Sequence, residues 1–324
     1  MLALHTSTGD TAELGGELHR AALPGDAAWL DLHDPSDSET AFVERTTHLR
    51  LPTRGELSEI ESSSRLRSED GALYLSAPLI FRATAADPRS TPVGFVLTPQ
   101  RLITLRFEPL TAFEAFAKTA RGDAAEMFIG LVEAIVDRLA DVLEALAAEL
   151  DVLSHRLFRS GPIGGPRHRP AREAADLRAI LRRVGAGGDL VSKIRDSLLG
   201  LARIVPYVAG QGAGWLADGE KLRLETLRHD IASLSDYDTH LVNKVQLLLD
   251  ATLGLINVEQ NDIIKVLTIV SVVGVPPTLV ASMYGMNFKH MPELDWAWGY
   301  PYGLALIALS AVAPLLWFRW RGWF

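Results

Sequence analysis

The chain has 324 residues, 48% hydrophobic and 22% charged, with 40 acidic against 32 basic side chains and no cysteine. That length exceeds one small domain and supplies ample apolar material for a core, while the lack of cysteine excludes a disulfide framework and a thiolate metal centre. The formal net charge of −8 argues against a nucleic-acid partner and suits cations; only three acidic and four basic residues lie beyond residue 261, so the acidic excess belongs to the part before it.

The opening stretch, MLALHTSTGD, has neither a basic start nor an apolar run, which predicts no signal peptide ahead of the soluble part. AWLDLHDP (28–35) reads as a short strand running into a helix start, with Asp34 or Ser36 as the cap before SETAFVERTTHL. GALYLSAPLIF (71–81) and GFVLTPQRLITLRF (94–107) read as strands, the second as a hairpin turning at Thr98–Gln100. Residues 1–111 are therefore expected to form a small cytoplasmic α/β domain.

From about residue 112 the pattern turns helical. Residues 125–158 place apolar side chains at intervals of three and four throughout. The glycine, proline and arginine break RSGPIGGPRHRP (159–170) reads as a solvated hairpin tip rather than a nucleic-acid patch. A second helical run starts near Glu173, is interrupted at GAGG (185–188) and continues to about Val205, which makes 112–219 a helical hairpin region with a loop at 206–219. The longest candidate helix then runs from Glu220 to Tyr284, about 65 residues or roughly 97 Å at the α-helical rise. Residues 220–265 are its stalk. Its last nineteen residues, 266–284, carry no charge, and neither does a second stretch at 300–318. Each is long enough to cross a hydrocarbon core of roughly 30 Å.

Charge sets the expected orientation. Arg319 and Arg321 follow the second span in the tail 319–324, whereas the loop 285–299 sets Lys289 against Glu293 and Asp295. The positive-inside rule puts both termini in the cytoplasm and that loop on the outer, periplasmic side of a cell inner membrane. Trp296, Trp298, Tyr300, Trp317 and Trp320 flank the second span as an aromatic belt.

One face of the long helix is unusual. Alternating intervals of four and three lead from Ser282 to Thr278, Val275, Ser271, Thr268, Ile264 and Asn261, and on through the stalk to Asn257, Gly254, Asp250, Leu247, Asn243, His240 and Asp236. A coiled-coil seam with this repeat would be apolar. Close packing through small residues also uses Ser, Thr and Gly, but it does not call for amides along a soluble stalk. The stripe therefore reads as the face of a helix ringed by copies of itself around a water-filled lumen. Pro276 and Pro277 deprive the Val272 and Val273 carbonyls of their usual helical partners; lumen water and a simple packing kink both account for them.

The stretch NDIIKVLTIVSVVGVPPTLVASMYGMNFKHMPELDWAWGYP, followed by a second span and a basic, aromatic tail, resembles the CorA family of divalent metal ion channels, of the metal ion transporter superfamily. The family hallmark, Gly-Met-Asn at the outer end of the first of two C-terminal spans, is matched by Gly285, Met286 and Asn287. The resemblance implies an α+β cytoplasmic domain, long helices and two C-terminal transmembrane helices, assembled as a funnel-shaped homopentamer in a lipid bilayer. It makes Gly285, Met286 and Asn287 the selectivity filter and assigns Asn261, Thr268 and Thr278 to polar pore positions, with Ile264 and Leu267 at an apolar constriction. Ser271, Val275 and Ser282 line the same pore. Asp250 falls on an acidic stalk position at which the family binds a regulatory cytoplasmic Mg2+ between protomers. Where relatives often carry an acid after the tripeptide and its Phe, this chain has Lys289.

The implied function is influx of Mg2+, with Co2+ and Ni2+ as lesser substrates, gated by cytoplasmic Mg2+. An amide filter suits that ion. Mg2+ releases its water reluctantly, so a ring of Asn287 oxygens accepts hydrogen bonds from the hydrated ion, whereas a ring of carboxylates would hold it too long for conduction. The alternatives are a zinc transporter of the same superfamily and a non-conducting, membrane-anchored helical scaffold. An enzyme is not expected: the nine histidines are scattered without metal-ligand spacing, and no nucleophile or Walker-type motif stands out.

Overall fold

Apolar side chains alternating along short segments of the first hundred residues build a seven-stranded mixed sheet of order β2-β1-β3-β7-β6-β5-β4. Its strands are β1 (Leu2–Thr6), β2 (Thr11–Leu14), β3 (Ala27–His33), β4 (Leu66–Glu69), β5 (Ala72–Phe81), β6 (Arg89–Leu97) and β7 (Leu102–Arg106). The computed structural model describes residues 1–14, 23–59, 61, 65–83, 87–159, 170–287 and 291–323. Only the central β3–β7 pair is parallel; the other ladders are antiparallel.

The strands expected from sequence are present as β3, β5, β6 and β7. The β6–β7 hairpin turns where expected, with the Thr98 hydroxyl accepting from the N–H groups of Gln100 and Arg101. Helix α1 (Asp37–Thr47) is capped by Ser36 rather than Asp34, in a reciprocal box with Glu39. Asp34 instead takes a left-handed backbone, φ 44°, and donates its N–H to the Arg106 carbonyl at 2.7 Å. A short helix, α2 (Arg54–Leu57), follows.

One sheet face buries Leu2, Leu4, Leu30, Leu32, Val96 and Ile103 with Phe42 and Val43 of α1. The other carries Trp29 and Phe95 against Phe113 of α3 (Thr111–Phe116) and, for Phe95, Phe128 of α4 (Ala124–Arg159). Threading through this side are a stack of buried His5 on Trp29 at 4.2 Å and a chain of bonds from Trp29 to Thr104, from Thr104 to Asp31 and from Arg106 to Asp31. The buried Asp31–Arg106 pair satisfies two charges that would otherwise be costly to bury.

Two long helices follow, α5 (Pro170–Gln211) and α6 (Asp218–Tyr284), and then a short 3-10 turn (Pro292–Asp295) and α7 (Gly299–Trp320). The chain divides into two compact units: Met1–Gly161 with Ile180–Leu249, and Pro162–Ala179 with Asp250–Phe324. In the first, α4, α5 and α6 are cross-tied by Glu149–Arg183, Glu133–Arg223, Asp151–Lys244 and Asp238–Arg195.

The sequence reading of α5 needs two corrections. The GAGG stretch does not interrupt it, because these glycines serve close approach rather than a turn. A Cβ on Gly187 would lie 3.2 Å from Leu146 Cδ1 of α4, and one on Gly188 would lie 3.2 Å from Val245 Cγ1 of α6. Nor does α5 stop near Val205; it runs on to Gln211 with Pro206 inside it. Pro206 and Ala202, whose carbonyl loses its N–H partner, both lie on the exposed side, where water satisfies that carbonyl. The basic break before α5 lies largely outside the described residues.

Candidate functional site

Helix α6 is continuous over 67 residues, close to the expected Glu220–Tyr284, and α7 covers the expected second span. Both are long and apolar enough to cross a membrane, and their most apolar windows are only 0% and 6% buried. A soluble protein would bury such windows in its core, and here they face outward.

Among the described residues the polar stripe is left largely uncovered. Asn261, Ile264, Leu267, Ser271, Val275, Thr278 and Ser282 are all exposed, and Thr268 is half-buried. Ile264, Leu267 and Val275 show 60%, 65% and 60% of their surface, as much as Val266 and Val270 of the same helix at 61% and 63%. The opposite flank differs: Lys265, Ile269, Val273, Pro276, Val280 and Tyr284 are half-buried at intervals of three and four. A matching stripe on α7 runs through Gly303, Ile307, Ser310, Ala311 and Pro314 to the buried Phe318. One face of α6 is thus used within the chain and the seam is left open.

The seam hydroxyls have a defined polarity. Thr268 donates to the Ile264 carbonyl and Thr278 to the Val275 carbonyl, each at 2.8 Å. With their protons engaged by the helix, both oxygens turn acceptor lone pairs outward, the polarity that a cation's bound water recognises.

At its C-terminal end the helix closes at Gly285, whose N–H donates to the carbonyls of Ala281 at 3.0 Å and Ser282 at 3.2 Å. A Cβ at Gly285 would lie 3.3 Å from the Ala281 oxygen, a tight contact that a few tenths of an ångström of adjustment would relieve. Met286 donates its N–H to the Met283 carbonyl and is 47% exposed, and Asn287 follows, exposed, with no helical bond of its own among those described. Lys289 lies outside the described residues.

In the stalk, Asn243, Asp250 and Asn257 are exposed on the seam side. Among the described residues no group of three or more His, Asp or Glu is placed to hold a metal ion.

Sequence reasoning missed the tail. The last turn of α7 ends in a left-handed glycine, Gly322 (φ +72°), and the Trp323 N–H donates to the Phe318 carbonyl at 3.0 Å. Trp323 is thereby folded onto Phe318 (ring centroids 5.0 Å), and Lys265 Nζ of α6 lies 5.9 Å from the Trp323 ring centre. The signal was present as a glycine just past the span followed by an apolar residue.

An α/β domain, long helices and two exposed apolar helices long enough to cross a membrane fit an integral membrane protein, and its relatives make it one of the transporter class. The chain belongs to the family described as CorA-like Mg2+ transporter protein, whose model matches residues 24–320. It is similar to the magnesium transport protein CorA of Salmonella typhimurium, 34% identical over 304 residues and covering 92% of each chain. The Escherichia coli magnesium transport protein CorA is 34% identical over 303 residues, again 92% of each. Among solved structures, the complete CorA magnesium transporter of Methanocaldococcus jannaschii aligns with a TM-score of 0.74 at 17% identity, covering 100% of this chain and 99% of that one. The full-length CmaX protein aligns with a TM-score of 0.67 at 18% identity, covering 98% and 96%. The structural likenesses carry the fold: a mixed-sheet soluble part, long helices and two apolar C-terminal helices. Members of the family are transporters, and this chain is accordingly not an enzyme.

Proposed function

We propose that the chain is a divalent-cation channel whose main substrate is Mg2+, with Co2+ and Ni2+ as lesser ones. Copies of α6 surround a wet passage as a homopentamer, and Gly285, Met286 and Asn287 form its outer filter. The observation that carries this reading is the seam from Asn261 to Ser282, which the chain itself leaves uncovered although it packs the opposite flank of the same helix. A helix face of acceptor oxygens facing lipid would be costly; facing a lumen, it substitutes for water around a passing ion.

Asn287 amide oxygens hydrogen-bond the ion's shell, Thr278, Ser271 and Thr268 pass it inward, and Ile264 and Leu267 form the dry constriction at the inner edge. The body and both termini lie in the cytoplasm of a cell with an inside-negative potential. At about 2.3 kcal/mol per charge per 100 mV, a dication gains roughly 4.6 kcal/mol on entry, enough to drive influx without nucleotide. Cytoplasmic Mg2+ bound by Asp250 carboxylates of neighbouring copies relieves their mutual repulsion and holds the passage shut. The test is Mg2+ uptake into proteoliposomes by the wild type and by Asn287→Ala, with assembly checked by size. Uptake lost in an assembled variant supports the filter, and undiminished uptake removes it. Competition by Zn2+ in the same assay separates this reading from a zinc transporter.

A further inference from the structure

We propose that Trp323 is a positioning residue for the inner end of the conducting helix, acting through Lys265. The inference rests on the reading of α6 as the pore-lining helix and adds to it a device that fixes the turn bearing Ile264 and Leu267. At the cytoplasmic end of α7 the chain reverses: Arg321 donates its N–H to Trp317, Gly322 to Arg319 and Trp323 to Phe318, at 3.0, 3.1 and 3.0 Å. The left-handed Gly322 makes this reversal, and the six-residue bond from Trp323 to Phe318 with their ring contact is the usual hydrophobic closure of such an end.

The geometry then selects one ring for one cation. Phe318 is 2% exposed and Trp323 half-buried, whereas Trp320 between them shows 83% of its surface. Lys265 Nζ stands 5.9 Å from the Trp323 ring centre, within range for attraction to the π face. Arg321 stands 5.3 Å from the Trp317 ring and does not compete for that face. Lys265 is the residue after Ile264 and two before Leu267, both exposed on the seam side, so a tie on Lys265 fixes the azimuth of the constriction without entering it. Indole offers the strongest π face for this role, and phenylalanine keeps the ring and loses only part of the attraction.

The experiment uses the full chain in proteoliposomes with external Mg2+ and cytoplasmic-side Mg2+ high enough to hold the channel shut. Compared are wild type, Trp323→Ala, Trp323→Phe, Lys265→Met and the double variant Trp323→Ala/Lys265→Met. The expected result is a leak raised about two- to fivefold in Trp323→Ala and in Lys265→Met, the size of a surface cation–π contact, with the double variant no leakier than either and Trp323→Phe close to wild type. Because the chain has no cysteine, a spin label on Asn261→Cys reports the same turn independently, and its mobility should rise in Trp323→Ala and in Lys265→Met alike. Unchanged leak and mobility, additive effects in the double variant, or Trp323→Phe behaving as Trp323→Ala would overturn the proposal. If the wild type carries no Mg2+ at any internal concentration, the channel reading itself fails, and the label on Asn261→Cys still decides whether the tie exists.

Discussion

Replacing Arg195 by methionine isolates a charge in the helical bundle. Asp238 of α6 has a side chain only 1% exposed, with Oδ2 2.9 Å from Arg195 Nε of α5 and Oδ1 without a hydrogen-bond partner among the described residues. Burial pushes the Asp238 carboxyl above its ordinary range, and the Arg195 guanidinium pulls the other way. Stranding a buried charge by removing its partner costs about 3–5 kcal/mol. Arg195 is itself 42% exposed, so water reaches the site and about 2–3 kcal/mol is the better expectation. A carboxyl with a raised folded pKa contributes its full stability below its unfolded value of 3.8, and that contribution is lost as pH rises through the folded value. Without Arg195 the folded pKa climbs further, so the defect should be largest near pH 7 and shrink toward pH 5. Denaturant titration of the detergent-solubilised protein at both pH values measures it, and adding Asp238→Asn should recover most of the loss. A defect under about 0.5 kcal/mol at pH 7, or one that Asp238→Asn does not relieve, refutes this reasoning.

Two further predictions concern pH and regulation. Burial, opposed by Asp31, lowers the His5 pKa below 6.5, so stability from neutral His5 is complete above pH 6.5 and declines below it, by at most about 1.4 kcal/mol per pH unit, until the folded pKa is reached; His5→Phe should flatten thermal stability between pH 6.5 and 5 while keeping the stack on Trp29. Asp250→Ala should raise several-fold the cytoplasmic Mg2+ needed to suppress uptake, measured as an inhibition curve in liposomes, and an unshifted curve would remove Asp250 from regulation.

The membrane half was legible because its signals are local. Nineteen uncharged residues from Val266 to Tyr284 mark a span whatever surrounds them, and the Gly285–Asn287 tripeptide directly after it is a short contiguous motif. The seam too is a periodicity, and α6, a single unbroken helix, keeps its residues on one face. What sequence could not supply was the meaning of small residues in context. Gly187 and Gly188 carry the same poor helix propensity whether a chain turns or two helices approach, and only Leu146 and Val245 decide between them. Pro206 reads as a stop, yet an exposed carbonyl at Ala202 needs no helical donor. Strands β1, β2 and β4, of four or five residues each, are too short to show a period and exist through their neighbours. Lys265 and Trp323 are 58 positions apart, and nothing in either neighbourhood names the other.

The central claim is that the uncovered face of α6 borders water and its outer amide selects the ion. Mg2+ uptake by Asn287→Ala in proteoliposomes, beside wild type of the same assembled size, tests it most directly. The account predicts that the variant assembles normally and that its uptake collapses by tenfold or more, about 1.4 kcal/mol of lost ion stabilisation; an assembled variant that takes up Mg2+ at the wild-type rate would contradict it.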